Sequence, residues 1–134
     1  MRRYVKGARA ERELLNFLFG KGYSVIRSAG SGVNSISPDI VAIKNGKGLA
    51  FESKAWNSTS IAIEPDKYQS LKTWESNSGM DTYMAWRMNG QGWYFIKLDE
   101  LYKADRNYTI TKRLAMQINR RPEHIVEGAL PGEL

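Results

Sequence analysis

Pro38-Asp39-Ile40-Val41-Ala42-Ile43-Lys44-Asn45-Gly46-Lys47-Gly48-Leu49-Ala50-Phe51-Glu52-Ser53-Lys54 is two apolar runs around a short polar break. The runs Asp39–Lys44 and Gly48–Lys54 read as strands, and Asn45-Gly46-Lys47 as the turn of a hairpin. Both faces of this hairpin are apolar, with Val41, Ile43 and Ala50 on one and Ile40, Ala42, Leu49 and Phe51 on the other. A strand pair of that kind belongs in the middle of a sheet covered on both sides. A tight turn centred on Gly46-Lys47 sets Asn45 against Gly48, Asp39 against Lys54 and Val41 against Glu52. Paired residues share a face, as do residues two apart along one strand. Asp39, Glu52 and Lys54 are therefore expected to emerge together at the open end.

Two carboxylates at a buried sheet end repel each other unless a cation sits between them. A hard divalent ion suits that place, because it takes oxygen ligands and leaves room for water and a substrate phosphate. Lys54 adds positive charge where a phosphodiester under attack needs it. Glu52-Ser53-Lys54 is the one acid-x-Lys triplet in the chain. Pro-Asp occurs at 38–39 and again at 65–66, but the second reads as a helix start with Asp66 favoured by the helix dipole.

Working outward, residues 5–21 read as a helix with Ala8, Glu11, Leu14, Leu15 and Leu18 on one stripe. Glu11 thus points toward the core and requires a partner or a metal there. It is either a third acid at the site or a first-turn acid paired with a neighbouring arginine. Residues 23–27 read as a strand and 28–38 as a loop of small residues. A helix is expected over 65–78, opened by Pro65 and closed near Gly79. Thr82–Met88 and Trp93–Leu98 flank Asn89-Gly90-Gln91-Gly92 as a second hairpin, whose aromatic residues Tyr83, Trp86, Trp93, Tyr94 and Phe95 suit either an interface or a rich core. Residues 108–111 suggest a strand, and 122–134 carry little pattern.

The chain has 134 residues, of which 20 are basic and 14 acidic, with no cysteine. This length suits a single domain, 1–134, with its catalytic core over about 5–100 and a segment 105–134 of open role. Disulfides and thiolate metal sites are excluded, and a cytoplasmic setting is expected. Membrane insertion is not expected, since no apolar stretch approaches the ~20 residues a span requires. Met1-Arg2-Arg3 does not open a signal peptide. A basic surplus implies a polyanionic partner, and Arg2, Arg3, Lys6, Arg9 and Arg12 crowd the N-terminus. His124, the one histidine, reads as structural.

Lys6-Gly7, Glu11-Arg12, Arg27-Ser28-Ala29-Gly30-Ser31-Gly32, Pro38-Asp39-Ile40-Val41 and Glu52-Ser53-Lys54 together resemble the archaeal-type Holliday junction resolvases. These lie within the restriction-endonuclease-like PD-(D/E)xK nucleases, and the likeness runs from about residue 6 to 100. It implies an α/β fold with a mixed sheet of about five strands flanked by helices, and a two-fold homodimer. The implied activity is magnesium-dependent cutting of four-way DNA junctions, with manganese able to substitute, in the cytoplasm at the nucleoid. By position, Glu11, Asp39 and Glu52 take the metal-binding roles and Lys54 that of the catalytic lysine. Ser31 falls in the loop where the family carries a serine that assists cleavage, and Gln69 matches a helix glutamine often found there. Arg2, Arg3, Lys6, Arg9, Arg27 and Ser31 are the candidate DNA contacts. Alternatives are a related nuclease acting on linear duplex and a non-catalytic DNA-binding protein on the same fold. No motif for a sliding clamp is visible.

Overall fold

The computed structural model describes residues 3–28 and 36–134, with side chains described from Lys6 onward in the first helix. Five strands form the main sheet: β1 (Ser24–Arg27), β2 (Ile40–Lys44), β3 (Lys47–Lys54), β5 (Asp81–Met88) and β6 (Gly92–Lys97), in the order β1-β2-β3-β5-β6. Neighbours run antiparallel except β3 and β5, which are parallel. That parallel step needs a crossover. The chain makes it through strand β4 (Ser60–Ile63) and helix α2 (Pro65–Ser78). The expected mixed five-stranded sheet is therefore present. Among the described residues, no helix is long and apolar enough to cross a membrane.

The hairpin turn lies one residue earlier than the turn centred on Gly46-Lys47 that the sequence suggests. Asn45 and Gly46 both have positive φ, 52° and 79°, as a two-residue mirror-image turn requires. Lys44 consequently pairs with Lys47, Val41 with Ala50 and Ile40 with Phe51. The register differs by two residues from the turn centred on Gly46-Lys47. Side chains alternate with period two, so every residue keeps its face. Continuing this register sets Asp39 against Glu52 rather than Lys54, which brings the two acids closer together.

The sheet is covered on both sides. Helix α1 (Arg3–Gly20) lays Ala10, Leu14 and Leu18 on Ile40, Ala42, Phe51, Tyr83, Ala85 and Phe95. The opposite side packs Met84, Trp86, Met88 and Ile96 against Ile61, Ile63 and Leu71 from the crossover. Tyr83, Trp86, Trp93, Tyr94 and Phe95 are all buried, so the aromatic hairpin is core and not an exposed interface. Neighbouring residues of β5 and β6 point to opposite sides, which lets one hairpin fill both cores.

Helix α2 begins at Pro65 and ends against Gly79, which has φ 73° and supplies the left-handed cap. Pro at the first position and Gly after the last are the expected punctuation. Strands β7 (Tyr102–Ala104) and β8 (Asn107–Thr111) join β4 in a small sheet ordered β4-β8-β7. Helix α3 (Lys112–Ile118) follows, with the Thr111 hydroxyl accepting from Leu114 N–H at 3.1 Å. The strand expected over 108–111 is present as part of β8, while β4, β7 and α3 have no counterpart in the sequence reading. The final segment packs back onto the α1 side through Val126 and Leu134.

Phe51 is fully buried between Tyr83 and Phe95, with ring centroids 6.1 and 5.6 Å away. Phe51→Ala should cost about 3–5 kcal/mol of stability. Urea unfolding measures it, and a loss under about 1 kcal/mol would contradict this packing.

Candidate active site

Glu52 stands on β3, beside Met84 of β5 and on the α2 side of the sheet. It is 7% exposed and, with Thr82, one of two buried polar residues among those described. Asp39 precedes β2 and shares that side. Its Oδ2 accepts the Ser53 N–H at 2.9 Å, and its carbonyl accepts the Ser28 N–H at 2.8 Å. The aspartate is thus clamped to the ends of both neighbouring strands. The Ser28 and Ser37 hydroxyls hydrogen-bond to each other, 3.0 Å apart.

Two lysines face this pair. Lys54 lies two residues beyond Glu52 on the same face, and its ammonium rests 5.1 Å from the centroid of the Trp56 ring. Trp56 is itself held by its carbonyl, which accepts from the Trp86 indole N–H at 3.0 Å. Lys67 enters from the first turn of α2. Its Nζ lies 3.4 Å from Glu52 Oε1 and donates to the Ser37 carbonyl at 2.8 Å. The sequence reading missed Lys67. The available signal was helical phase, since Lys67 precedes the buried Leu71 by four residues and shares its inner stripe.

Burial pushes the Glu52 carboxyl up to about 7, and the charge of Asp39 adds to the rise, while Lys67 and Lys54 oppose it. Glu52 Oε1 is buried without a hydrogen bond of good geometry, even with Lys67 nearby. A buried oxygen lacking a donor, beside a second carboxylate, is a hard anionic ligand set. The residues therefore fit a divalent cation of the magnesium class. Such an ion would relieve both the desolvation of Glu52 and its repulsion from Asp39.

The remaining sequence-nominated residues distribute unevenly. Glu11 is on α1, on the other side of the sheet, and its carboxylate pairs with Arg27, which is in register with Ile40. Among the described residues, no three His, Cys, Asp or Glu side chains gather as a metal-holding group. Gln69 is exposed and donates weakly to the Thr73 hydroxyl at 3.5 Å. It lines a groove with Ile36, Asp66 and Trp74, and neither Asp39 nor Glu52 is among the residues lining that groove. Two residues along a helix turn the side chain by roughly 200°, so α2 can present Lys67 or Gln69 to the site, but not both. Lys6 and Arg9 line a cleft of about 500 Å³ with Glu13, Arg87 and Asn89. Arg2, the Arg3 side chain and Ser31 lie outside the described residues.

A family model described as archaeal Holliday junction resolvase (Hjc) matches residues 2–124. The chain belongs to this family. It is 34% identical over 106 residues to the crossover junction endodeoxyribonuclease Hjc of Archaeoglobus fulgidus, covering 78% of each chain. Identity to the protein of the same name from Methanocaldococcus jannaschii is 35% over 113 residues, covering 84% of this chain and 80% of that one. For Sulfolobus acidocaldarius the identity is 30% over 103 residues, covering 75% and 71%. Among solved structures, Archaeoglobus fulgidus Hjc, described as a Holliday junction resolvase from an archaeal hyperthermophile, is similar with a TM-score of 0.74. That match has 29% identity and covers 84% of this chain and 88% of the other.

In this resolvase-family site, Glu52 binds its proton more tightly folded than unfolded. Stability from this group is present below pH 4.5 and is lost as pH rises to about 7. The shift amounts to on the order of 3 kcal/mol. Urea unfolding of the chelator-treated protein between pH 4.5 and 8 should show this decline, and Glu52→Gln should flatten it. Equal slopes for the two proteins would refute the assignment.

Proposed function

We propose that this resolvase-family endonuclease resolves four-way DNA junctions by paired, symmetric, magnesium-dependent nicks, with manganese able to substitute. The observation that carries the reading is the meeting of Asp39 and Glu52 at one sheet end, with Lys54 on the same face.

Asp39 and Glu52 would hold the divalent ion, and Glu11 is the third acid if its carboxylate leaves Arg27 for the site. The bound ion supplies Lewis-acid charge at the scissile phosphate and makes water a better nucleophile. Lys54 stabilises the charge that develops on the phosphoryl oxygens. Its ammonium rests against the Trp56 ring, and its charge also bears on Glu52. The new bond joins the water oxygen to phosphorus, and the bond to the 3′ oxygen breaks. A proton passes to the leaving oxygen, giving 5′-phosphate and 3′-hydroxyl ends. Ser31, which lies between Ser28 and Ser37 in sequence, would assist at the cleaved strand.

Arg2, Arg3, Lys6, Arg9 and Arg27 would grip the DNA backbone, so that shape and phosphate dominate recognition. A two-fold homodimer provides two sites at fixed separation, matching the near two-fold symmetry of a four-way junction. The working place of such an enzyme is nucleoid DNA in the cytoplasm.

A labelled four-way junction and a linear duplex of equal arm sequence, each with magnesium, test this reading. Wild type should nick the junction symmetrically and leave the duplex intact. Asp39→Ala should bind the junction but cut it at least ~10³-fold more slowly, as expected when a metal ligand is removed. Equal cutting of duplex would make the protein a general nuclease, and binding without cutting by wild type would make it a DNA-binding protein only.

A further inference from the structure

The lysine that pairs with Glu52 is not the one in the acid-x-Lys triplet. Lys54 is turned over Trp56, whereas Lys67 puts its ammonium 3.4 Å from the buried Oε1 of Glu52. The Lys67 side chain is 15% exposed, so its charge is poorly screened by water. Its second contact is the Ser37 carbonyl at 2.8 Å, and Ser37 leads directly through Pro38 into Asp39. One ammonium therefore pairs with Glu52 and also holds the backbone two residues before Asp39.

Resting on the reading that Asp39 and Glu52 hold a divalent ion, we propose that Lys67 is the resident counter-ion of the acid pair. It holds the metal-free site together and weakens divalent-ion binding by standing at the oxygen the ion would use. A cation arriving at Glu52 meets a unit positive charge already there, so binding includes the work of moving Lys67 aside or tolerating it. The Ser37 carbonyl gives Lys67 somewhere to stay, so the ammonium leaves the carboxylate without losing every partner. The same charge ties the start of α2 to Ser37, which makes Lys67 a positioning residue for the acids. The groups facing Glu52 are Asp39, Lys67 and Lys54, and Lys67 alone among them forms an ion pair with it.

Binding of Mn²⁺ to the full chain without DNA, followed by electron paramagnetic resonance of the free ion, tests the idea. Wild type, Lys67→Met, Lys67→Arg and Glu52→Gln are compared. Lys67→Met should bind Mn²⁺ about tenfold more tightly, since a nearby unit charge at a site of reduced dielectric is worth at least that. Lys67→Arg should stay near wild type. Thermal melting gives a second readout. Metal-free Lys67→Met should melt below wild type, and saturating Mn²⁺ should raise its melting temperature by more than it raises that of wild type. If Lys67→Met does not fold, the neutral but polar Lys67→Gln replaces it in both measurements. Unchanged or weaker Mn²⁺ affinity in the neutral variant, or an equal melting deficit with and without Mn²⁺, overturns the proposal and leaves Lys67 as a tether only. Equal binding by wild type and Glu52→Gln would instead overturn the metal-site reading on which it rests.

Discussion

Repulsion between Asp39 and Glu52 is the constraint around which the rest of the molecule is arranged. The Asn45-Gly46 turn fixes the register that brings them together. The two covered faces of β3 deprive Glu52 of water. A folded protein keeps such a pair only when positive charge or donors are supplied. Here the Ser53 N–H serves Asp39, and Lys67 with Lys54 serves Glu52. The raised protonation range of Glu52, and an Oε1 that has an ion pair but no hydrogen bond, mark the electrostatic cost that remains.

The scaffold gives that pair a stable address. Strand β3 lies at the centre of the five-stranded sheet, between antiparallel β2 and parallel β5. A parallel neighbour forces a crossover, and the crossover delivers α2 to the face that carries Glu52. Lys67 reaches the site because Leu71, one turn later, is fully buried on the same side. On the other face, α1 buries Leu14 and Leu18 and carries Glu11 to the strand end beside Arg27. Core packing thus sets which charged groups can approach the acids, and from which side.

Much of this was legible from local pattern. The α2 boundaries follow from Pro65 and Gly79, and both hairpins follow from apolar runs around Asn-Gly and Gly-rich breaks. The hairpin turn was misplaced toward Lys47, yet the acids stayed on one face because a two-residue slip preserves side-chain alternation. Of the small sheet, only β8 was legible, as the strand over 108–111. Strands β4 and β7 are short, and β4 pairs with β8 across a wide gap in sequence. At the site, Gln69 drew attention by family likeness while Lys67, on the inner stripe, did the contacting.

Local pattern along the chain specifies the chemistry on offer: acids, lysines and basic N-terminus at family spacing, on elements whose type is set by nearest neighbours in sequence. Which of those groups meet is settled by the three-dimensional packing. Burial of Glu52, its ion pair with Lys67, the resting of Lys54 on Trp56 and the engagement of Glu11 by Arg27 all join residues from separate elements. The physical reason is that periodicity along a chain specifies the face on which a side chain lies. What stands opposite that face depends on how sheet and helices pack in three dimensions.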